Sequence, residues 1–548
     1  MASGTHSDDS TTQPLDDMAS ILGLGGPFAA YLRGMDARTL FQQGMDFYKT
    51  MFEIAVGQSD VAPDARDWRF QDETWATNPL YKRLAQAYLA MSNAVEKMIP
   101  EELPWEEKAR AQLAASIVTS TFAPTNTLLG NPAAIAKTME TGGSNLIRGF
   151  QTFVSDLANN GGMPSQVDDS QFEIGRNLAV TPGKIVHKTR MFELIHYAPA
   201  TETVHEIPVL LIPPQIGRFY FTDLAPGRSF AEYTVSQGLQ YFAISWRNPS
   251  PDERDFGLQD YVEAALEAVE AVTRITGQKK ANVVGFCAGG ILSSIVSTYL
   301  AAGGSKAINS FTLCVTMLDF RTDASLGAFR LPTMLTVAKA QSAMQGVLPG
   351  SDLHKLFSWL RPNDLVWNYW VNNYLMGEAP PAFDILAWNK DNTNLPARLH
   401  KDFLDLFESN ALVEGGYEAM GRKIDLGTIA CDNFVVGAVT DHLTPWKCCY
   451  QSRRHLGGKS TFALSNGGHV AALVNPPGNP KAYHWIAPAE PEHGDDWLAG
   501  APKLPGSWWE SWAKWCAERS GKLVPAPQKL GSNDHPPTVD APGEYVLL

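Results

Sequence analysis

Between residues 281 and 302 the chain passes from a short apolar strand, through Gly285-Phe286-Cys287-Ala288-Gly289-Gly290, into an apolar helix. Few folds accept that transition. A strand that turns directly into a helix makes a tight, strained corner, and large side chains two positions to either side would crowd it. The corner residue is then held out at the C-terminal end of its strand, and here it is a cysteine. The stretch therefore predicts one unit of a parallel sheet, with a single thiol presented where such sheets gather reactive groups.

The neighbouring sequence repeats the alternation. Residues 184–192, 204–212, 240–245 and 310–316 read as strands, and 261–275 as an amphipathic helix. From about 321 to 426 the alternation stops. That stretch is rich in Trp, Asn, Pro and Leu, as in the run RPNDLVWNYWVNNYLMG from Arg361, and predicts an insertion of helices and loops. Strand signals return at 434–439 and 460–464. Ahead of the sheet, residues 81–98 and 105–118 place apolar side chains at helical spacing, and Asn160, Gly161, Gly162 and Pro164 mark a break. The expected organisation is a polar, disordered stretch over 1–17, a helical N-terminal domain over 18–165, and an α/β catalytic domain over 166–548. The insertion at 321–426 would form a helical cap.

Composition narrows the function. The hydrophobic fraction of 44% and charged fraction of 19% suit a folded chain, and the net charge of -14 argues against nucleic acid as the main partner. No apolar run reaches 18 residues and the N-terminus lacks a basic, then apolar, leader, so neither a transmembrane segment nor a signal peptide is expected. The six cysteines are irregularly spaced with no CxxC, which fits a reducing, cytoplasmic setting. There is no HExxH, GxGxxG or Walker pattern, so no metal or bound cofactor is expected.

The corner itself matches the nucleophile elbow G-x-S-x-G with Cys287 in the serine position, which predicts an α/β-hydrolase fold. A helix N-terminus offers amide donors and a positive dipole end, both favourable to a negatively charged sulfur. In such folds the acid and then the histidine follow the nucleophile in the chain. Asp441 follows the 434–439 strand, and His469 follows the 460–464 strand in Ser465-Asn466-Gly467-Gly468-His469. An Asp after a strand is usually a turn residue, and a His in a glycine turn is usually just exposed. In the required order behind an elbow cysteine, they read as a triad in which His469 takes the thiol proton and Asp441 fixes its tautomer. His442 competes for the histidine role, but adjacent side chains diverge, so it ranks second. The oxyanion hole is expected at the backbone N–H of Ala288 and at Ile216 or Gly217 in the turn Pro213-Pro214-Gln215-Ile216-Gly217, where an ordinary proline turn is the other reading.

At these residues, and over nearly the whole chain from about residue 67, the sequence resembles the polyhydroxyalkanoate synthases. The N-terminal part matches at Thr125–Leu128 (TNTL), Asn131-Pro132-Ala133-Ala134, the ETGG run from Glu140 and NNGGMPS from Asn159. The core matches at Pro213-Pro214-Gln215-Ile216, at SWRNP from Ser245 and around Cys287. The insertion matches at RPNDLVWNY from Arg361 and FDIL from Phe383. The end matches at DHLTPW from Asp441, at Gly468-His469 and at Asn475-Pro476-Pro477.

The resemblance implies a cytoplasmic acyltransferase acting at a polyester granule surface, with hydroxyacyl-CoA as substrate rather than cofactor. It implies that Cys287 carries the growing chain and that His469 is its base. It implies that Asp441 is the acid and also helps activate the 3-hydroxyl of the acyl group. The insertion would be a lid. The helical N-terminal part would serve granule association, partner binding or a homodimer. A full-length N-terminal part resembles the single-subunit types. NNGGMPSQV and PPQI look like the medium-chain class, whereas the Trp-rich tail, Thr316 and Ala471 look like the short-chain class, so short-chain monomers such as 3-hydroxybutyryl-CoA are expected first. The alternatives are a cysteine hydrolase or thioesterase of the same fold, which would release free acid, and a granule-surface protein that kept the fold without catalysis.

Overall fold

The computed structural model describes residues 37–322 and 324–548; the expected disordered stretch over 1–17 lies outside them. The chain forms two compact units. The first contains residues up to 168 together with 325–334 and 355–381, so part of the inserted stretch folds with the N-terminal residues. It is built from helices, among them Pro79–Lys97, Trp105–Thr121 and Ser144–Asn159. Asn78 caps the first of these and Pro79 stands at its first position, as capping rules require. The last ends at the Asn-Gly-Gly break, where the buried Asp156 accepts from Tyr374 Oη at 2.7 Å and from the backbone N–H of Ser165 at 3.0 Å. Its outer face leaves Ile147, Phe150, Val154 and Leu157 exposed in one stripe at helical spacing.

The second unit holds an eleven-stranded sheet. Its strands are β1 (Gly183–Lys188), β2 (Phe192–Tyr197), β3 (Thr203–Ile212), β4 (Leu239–Trp246), β5 (Ala281–Phe286), β6 (Ile308–Cys314), β7 (Asn433–Ala438), β8 (Ser460–Ser465), β9 (Tyr483–Pro488), β10 (Lys503–Pro505) and β11 (Leu523–Pro525). They lie in the order β1-β2-β4-β3-β5-β6-β7-β8-β9-β10, with β11 beside β3. From β4 through β8 the pairs are parallel, and both flanks are antiparallel. The central strands β5 and β7 are buried at every residue, which is why they read as continuous apolar runs rather than alternating ones. Helix α1 (Leu258–Thr276) follows β4, and α2 (Ala288–Ala302) follows β5. This strand order, with the elbow after β5, is the expected α/β-hydrolase fold.

One difference from the sequence reading is local. The stretch 184–192, expected as one strand, is β1 and a turn at Thr189, whose hydroxyl accepts from the N–H groups of Met191 and Phe192 at 3.1 Å; β2, which the sequence reading does not name, begins at Phe192 and pairs with β1 as a hairpin.

Burial also makes a testable prediction about stability. His196 on β2 is 2% exposed, stacks on Phe242 with ring centroids 4.0 Å apart, and accepts at Nδ1 from the Gly531 N–H at 3.1 Å. Burial pushes its pKa down to about 3. Burial, with Lys339 nearby, likewise holds His400 at about 4. An unfolded histidine titrates near 6.5, so below that pH the unfolded chain binds protons that the folded chain refuses. Stability then rises with pH through this window and is lost as pH falls from about 6.5, by ~1.4 kcal/mol per pH unit for one such group. Urea midpoints at pH 7 and pH 4.5 should show that loss. His196→Gln should flatten the dependence, and an unchanged slope in that variant would remove His196 from the account.

Candidate active site

Cys287 lies between β5 and α2 with φ 51° and ψ -120°, a left-handed-side conformation that costs a non-glycine residue about 1–3 kcal/mol. Two glycines make the corner possible. A Cβ on Gly285 would lie 2.2 Å from Ser293 Oγ and 2.7 Å from Gly290 Cα; one on Gly289 would lie 2.3 Å from the Ile212 carbonyl oxygen. The glycines thus let the first turn of α2 pack directly on the ends of β3 and β5. The Cys287 N–H donates to the Cys314 carbonyl at 2.9 Å, and Thr316 Oγ1 donates to the Cys287 carbonyl at 3.2 Å, so the strained residue is held from β6.

Asp441 and His469 come together because the loops after β7 and β8 are tied to each other. The Val439 N–H donates to the Ser465 carbonyl at 3.0 Å, and the Thr440 N–H to the Gly467 carbonyl at 2.9 Å. His469 opens a short helix, α3 (His469–Leu473), and its Nδ1 donates to Asp441 Oδ2 at 2.6 Å. The other Asp441 oxygen accepts from the N–H groups of Leu443 and Thr444, both at 2.9 Å. With Nδ1 taken, the remaining ring nitrogen is left for the Cys287 thiol, which lies close enough to act on the His469 charge. The structure therefore brings the three residues together: Asp441 is hydrogen-bonded to His469, and Cys287 lies beside the ring. Asp441 orients His469 and not its neighbour His442.

The electrostatics match the geometry. Burial alone would raise the Asp441 carboxyl, but the His469 charge and the hydrogen bonds from His469 and Thr444 outweigh it and hold the acid below the usual carboxylate range. Burial alone would lower His469, but Asp441 and Cys287 beside it hold the imidazole well above its ordinary value. His469 is thus a ring that readily accepts a proton next to a thiol. Burial pushes the Cys314 and Cys449 thiols far up, Cys516 to about 12 and Cys431 to about 11.

Of the expected oxyanion donors, Ala288 opens α2, so its N–H has no carbonyl one turn back to bond. The Gly217 N–H is engaged by Thr393 Oγ1 at 2.9 Å, and that hydroxyl donates to the Gln215 carbonyl at 2.9 Å. Of the two amides considered in that turn, Ile216 is the one left. Trp388 lies over the turn and donates from Nε1 to the Arg218 carbonyl at 2.8 Å. Two features escaped the sequence reading. Thr444 donates from Oγ1 to Asp441 Oδ2 at 2.8 Å and lies 3.2 Å from His469 Nδ1, a role that its place three residues after the acid could have suggested. The other is the pair Trp508 and Trp509, discussed below. Among the described residues, no group of three or more His, Cys, Asp or Glu could hold a metal ion, and no helix is long and apolar enough to cross a membrane.

A family model described as the N-terminus of poly-beta-hydroxybutyrate polymerase (PhaC) matches residues 66–234, and one described as the alpha/beta hydrolase fold matches residues 208–476. Poly(3-hydroxyalkanoate) polymerase 1 of Ectopseudomonas oleovorans is 44% identical over 495 residues, covering 90% of this chain and 88% of that protein. Polymerase 2 of the same organism is 43% identical, covering 90% and 89%. The polymerase subunit PhaC of Cupriavidus necator is 37% identical over 513 residues, covering 91% and 86%. The chain belongs to the poly(3-hydroxyalkanoate) polymerase family, acyltransferase-type enzymes built on the α/β-hydrolase fold.

Proposed function

We propose that the chain polymerises (R)-3-hydroxyacyl-CoA into polyester and releases CoA, with the acyl group carried as a thioester on Cys287. The observation that supports the mechanism is the His469–Asp441 hydrogen bond at 2.6 Å, with Cys287 beside the ring at the elbow. His469 accepts the thiol proton, and Asp441 stabilises the resulting imidazolium. The sulfur attacks the thioester carbonyl, whose oxygen is received by the N–H groups of Ala288 and Ile216. The carbon–sulfur bond to CoA then breaks, and CoA leaves with the proton from His469. The hydroxyl of an acyl unit next attacks an acyl thioester, losing its proton to His469; the carbon–sulfur bond of that thioester breaks, its sulfur leaves and takes the proton back from His469, and the chain lengthens by one ester.

Sulfur suits this cycle because transfer from CoA to cysteine exchanges one thioester for another. Water must be excluded, and the aromatic residues of the inserted stretch, such as Trp388 over the 215–218 turn, serve that end. The exposed stripe Ile147, Phe150, Val154 and Leu157 supports cytoplasmic association with an apolar polyester granule, and a homodimer is expected.

The test is CoA release from 3-hydroxybutyryl-CoA and from longer 3-hydroxyacyl-CoAs, with the product sized. Polymer with stoichiometric CoA supports the reading. CoA with only free hydroxy acid would make the protein a thioesterase of the same fold. Turnover of the longer substrates alone would keep the polymerase and overturn the short-chain expectation.

A further inference from the structure

His469 stands at the start of a helix only five residues long. A helix that short does not hold itself together in water, and its last carbonyls have no donor within the helix. Two of those carbonyls are met from the C-terminal helix α4 (Trp508–Ala517). Trp508 donates from Nε1 to the Ala472 carbonyl at 2.7 Å, and Trp509 donates from Nε1 to the Leu473 carbonyl at 3.1 Å. Both indoles are fully buried. The residues leading into α4 are anchored to the same loop: Ser507 Oγ donates to the Asn475 carbonyl, and Asn475 Nδ2 donates to Ser465 Oγ at 3.4 Å. Trp512, one turn further along α4 and equally buried, makes its indole hydrogen bond elsewhere, to Thr312 Oγ1 at 3.1 Å.

We infer that Trp508 and Trp509 are positioning residues for His469: their N–H groups fix the short helix so that the imidazole reaches both Cys287 and Asp441. The ring is pinned at Nδ1 by Asp441, while the two indoles pin the backbone that carries it. Releasing either carbonyl lets the helix relax, and displacements on the order of 1 Å at a catalytic group can cost ~10²-fold in rate. The inference rests on the proposed role of His469 and goes beyond it.

Trp512 supplies the control. Trp508→Phe, Trp509→Phe and Trp512→Phe each keep an apolar ring and remove one buried N–H, so each should lower the Tm modestly. They are made separately, so that misfolding of one leaves the others as the test. Three quantities are read: kcat and KM for CoA release, the rate of Cys287 alkylation by iodoacetamide across pH 5–9, and the Tm. The Trp508 and Trp509 variants should lose ~10- to 100-fold in kcat with KM within about twofold. Their alkylation should slow most on the acid side. Trp512→Phe should keep wild-type kcat and alkylation despite its lower Tm. The inference is overturned if kcat and alkylation are unchanged in the Trp508 and Trp509 variants, or if all three variants decline together in step with Tm. Alkylation needs no acyl-CoA, so it reads the positioning even if the wild-type protein turned over none of the substrates tried. That last result would count against the proposed function alone.

Discussion

Cys287→Ala is expected to release no CoA above background and to make no polymer, a loss on the order of 10⁵-fold or more, as for removal of other covalent nucleophiles. The fold should survive. Alanine is smaller than cysteine, Cys287 is only partly buried, and the backbone corner is held by hydrogen bonds to Cys314 and Thr316 that do not involve the side chain. A Tm close to wild type, together with lost activity, would therefore separate chemistry from folding. The acyl-enzyme offers a second readout. After a short pulse with substrate, intact-mass measurement should show an acyl adduct on the wild-type chain and none on the variant. Cys287→Ser sharpens the point: an oxygen ester is more stable than a thioester, so this variant should form an adduct slowly and pass it on more slowly still. CoA release that persists in Cys287→Ala would leave Cys314, Cys431, Cys448, Cys449 and Cys516 as the remaining thiols; Cys448 is buried, and burial pushes the other four the wrong way for a nucleophile. Such a result would move the chemistry away from Cys287.

What could be read from the chain follows how locally each feature is encoded. The elbow is six consecutive residues, and its demands are local: glycines where a Cβ would strike Ser293 or the end of β3, then a helix. Asp441 and His469 are legible as candidates from their order and from their places just after strands, since a parallel sheet delivers such positions to one edge. Thr444 was missed because its role depends on a turn that brings its hydroxyl back to the acid. β2 is not legible as a strand of its own: all six of its residues are buried although Glu193 and His196 are polar, so neither alternation nor an apolar run marks it. The Trp-rich end was read as a tail, although Ser507 and Glu510 form a capping box that marks the start of α4. Its function could not have been read at all, because the carbonyls that Trp508 and Trp509 meet lie 36 residues earlier and become neighbours only in the fold.

Asp441→Asn should lower kcat by ~10³- to 10⁴-fold, the scale seen when a triad acid loses its charge and the histidine its correct tautomer. Asparagine is nearly the same size and can still accept from the N–H groups of Leu443 and Thr444, so the loop should keep its shape. What changes is the partner of His469 Nδ1. A carboxylate accepts the Nδ1–H and supports a charged ring, whereas an amide can present its NH₂ group and select the tautomer that leaves no lone pair toward Cys287. The carboxylate is also a main reason that His469 stands well above its ordinary value. Without it the ring holds a proton less tightly, and less negative charge can be stabilised on the sulfur beside it. The sign follows: the acid limb of Cys287 alkylation, which reports the coupled Cys287–His469 pair, should move to higher pH in the variant. At neutral pH both alkylation and turnover should fall, with turnover falling further because each ester formed also needs His469 to take a hydroxyl proton. A shift of the limb to lower pH would mean that Asp441 does not stabilise the charged pair. An unchanged limb with lost turnover would confine Asp441 to activating the hydroxyl in the elongation step.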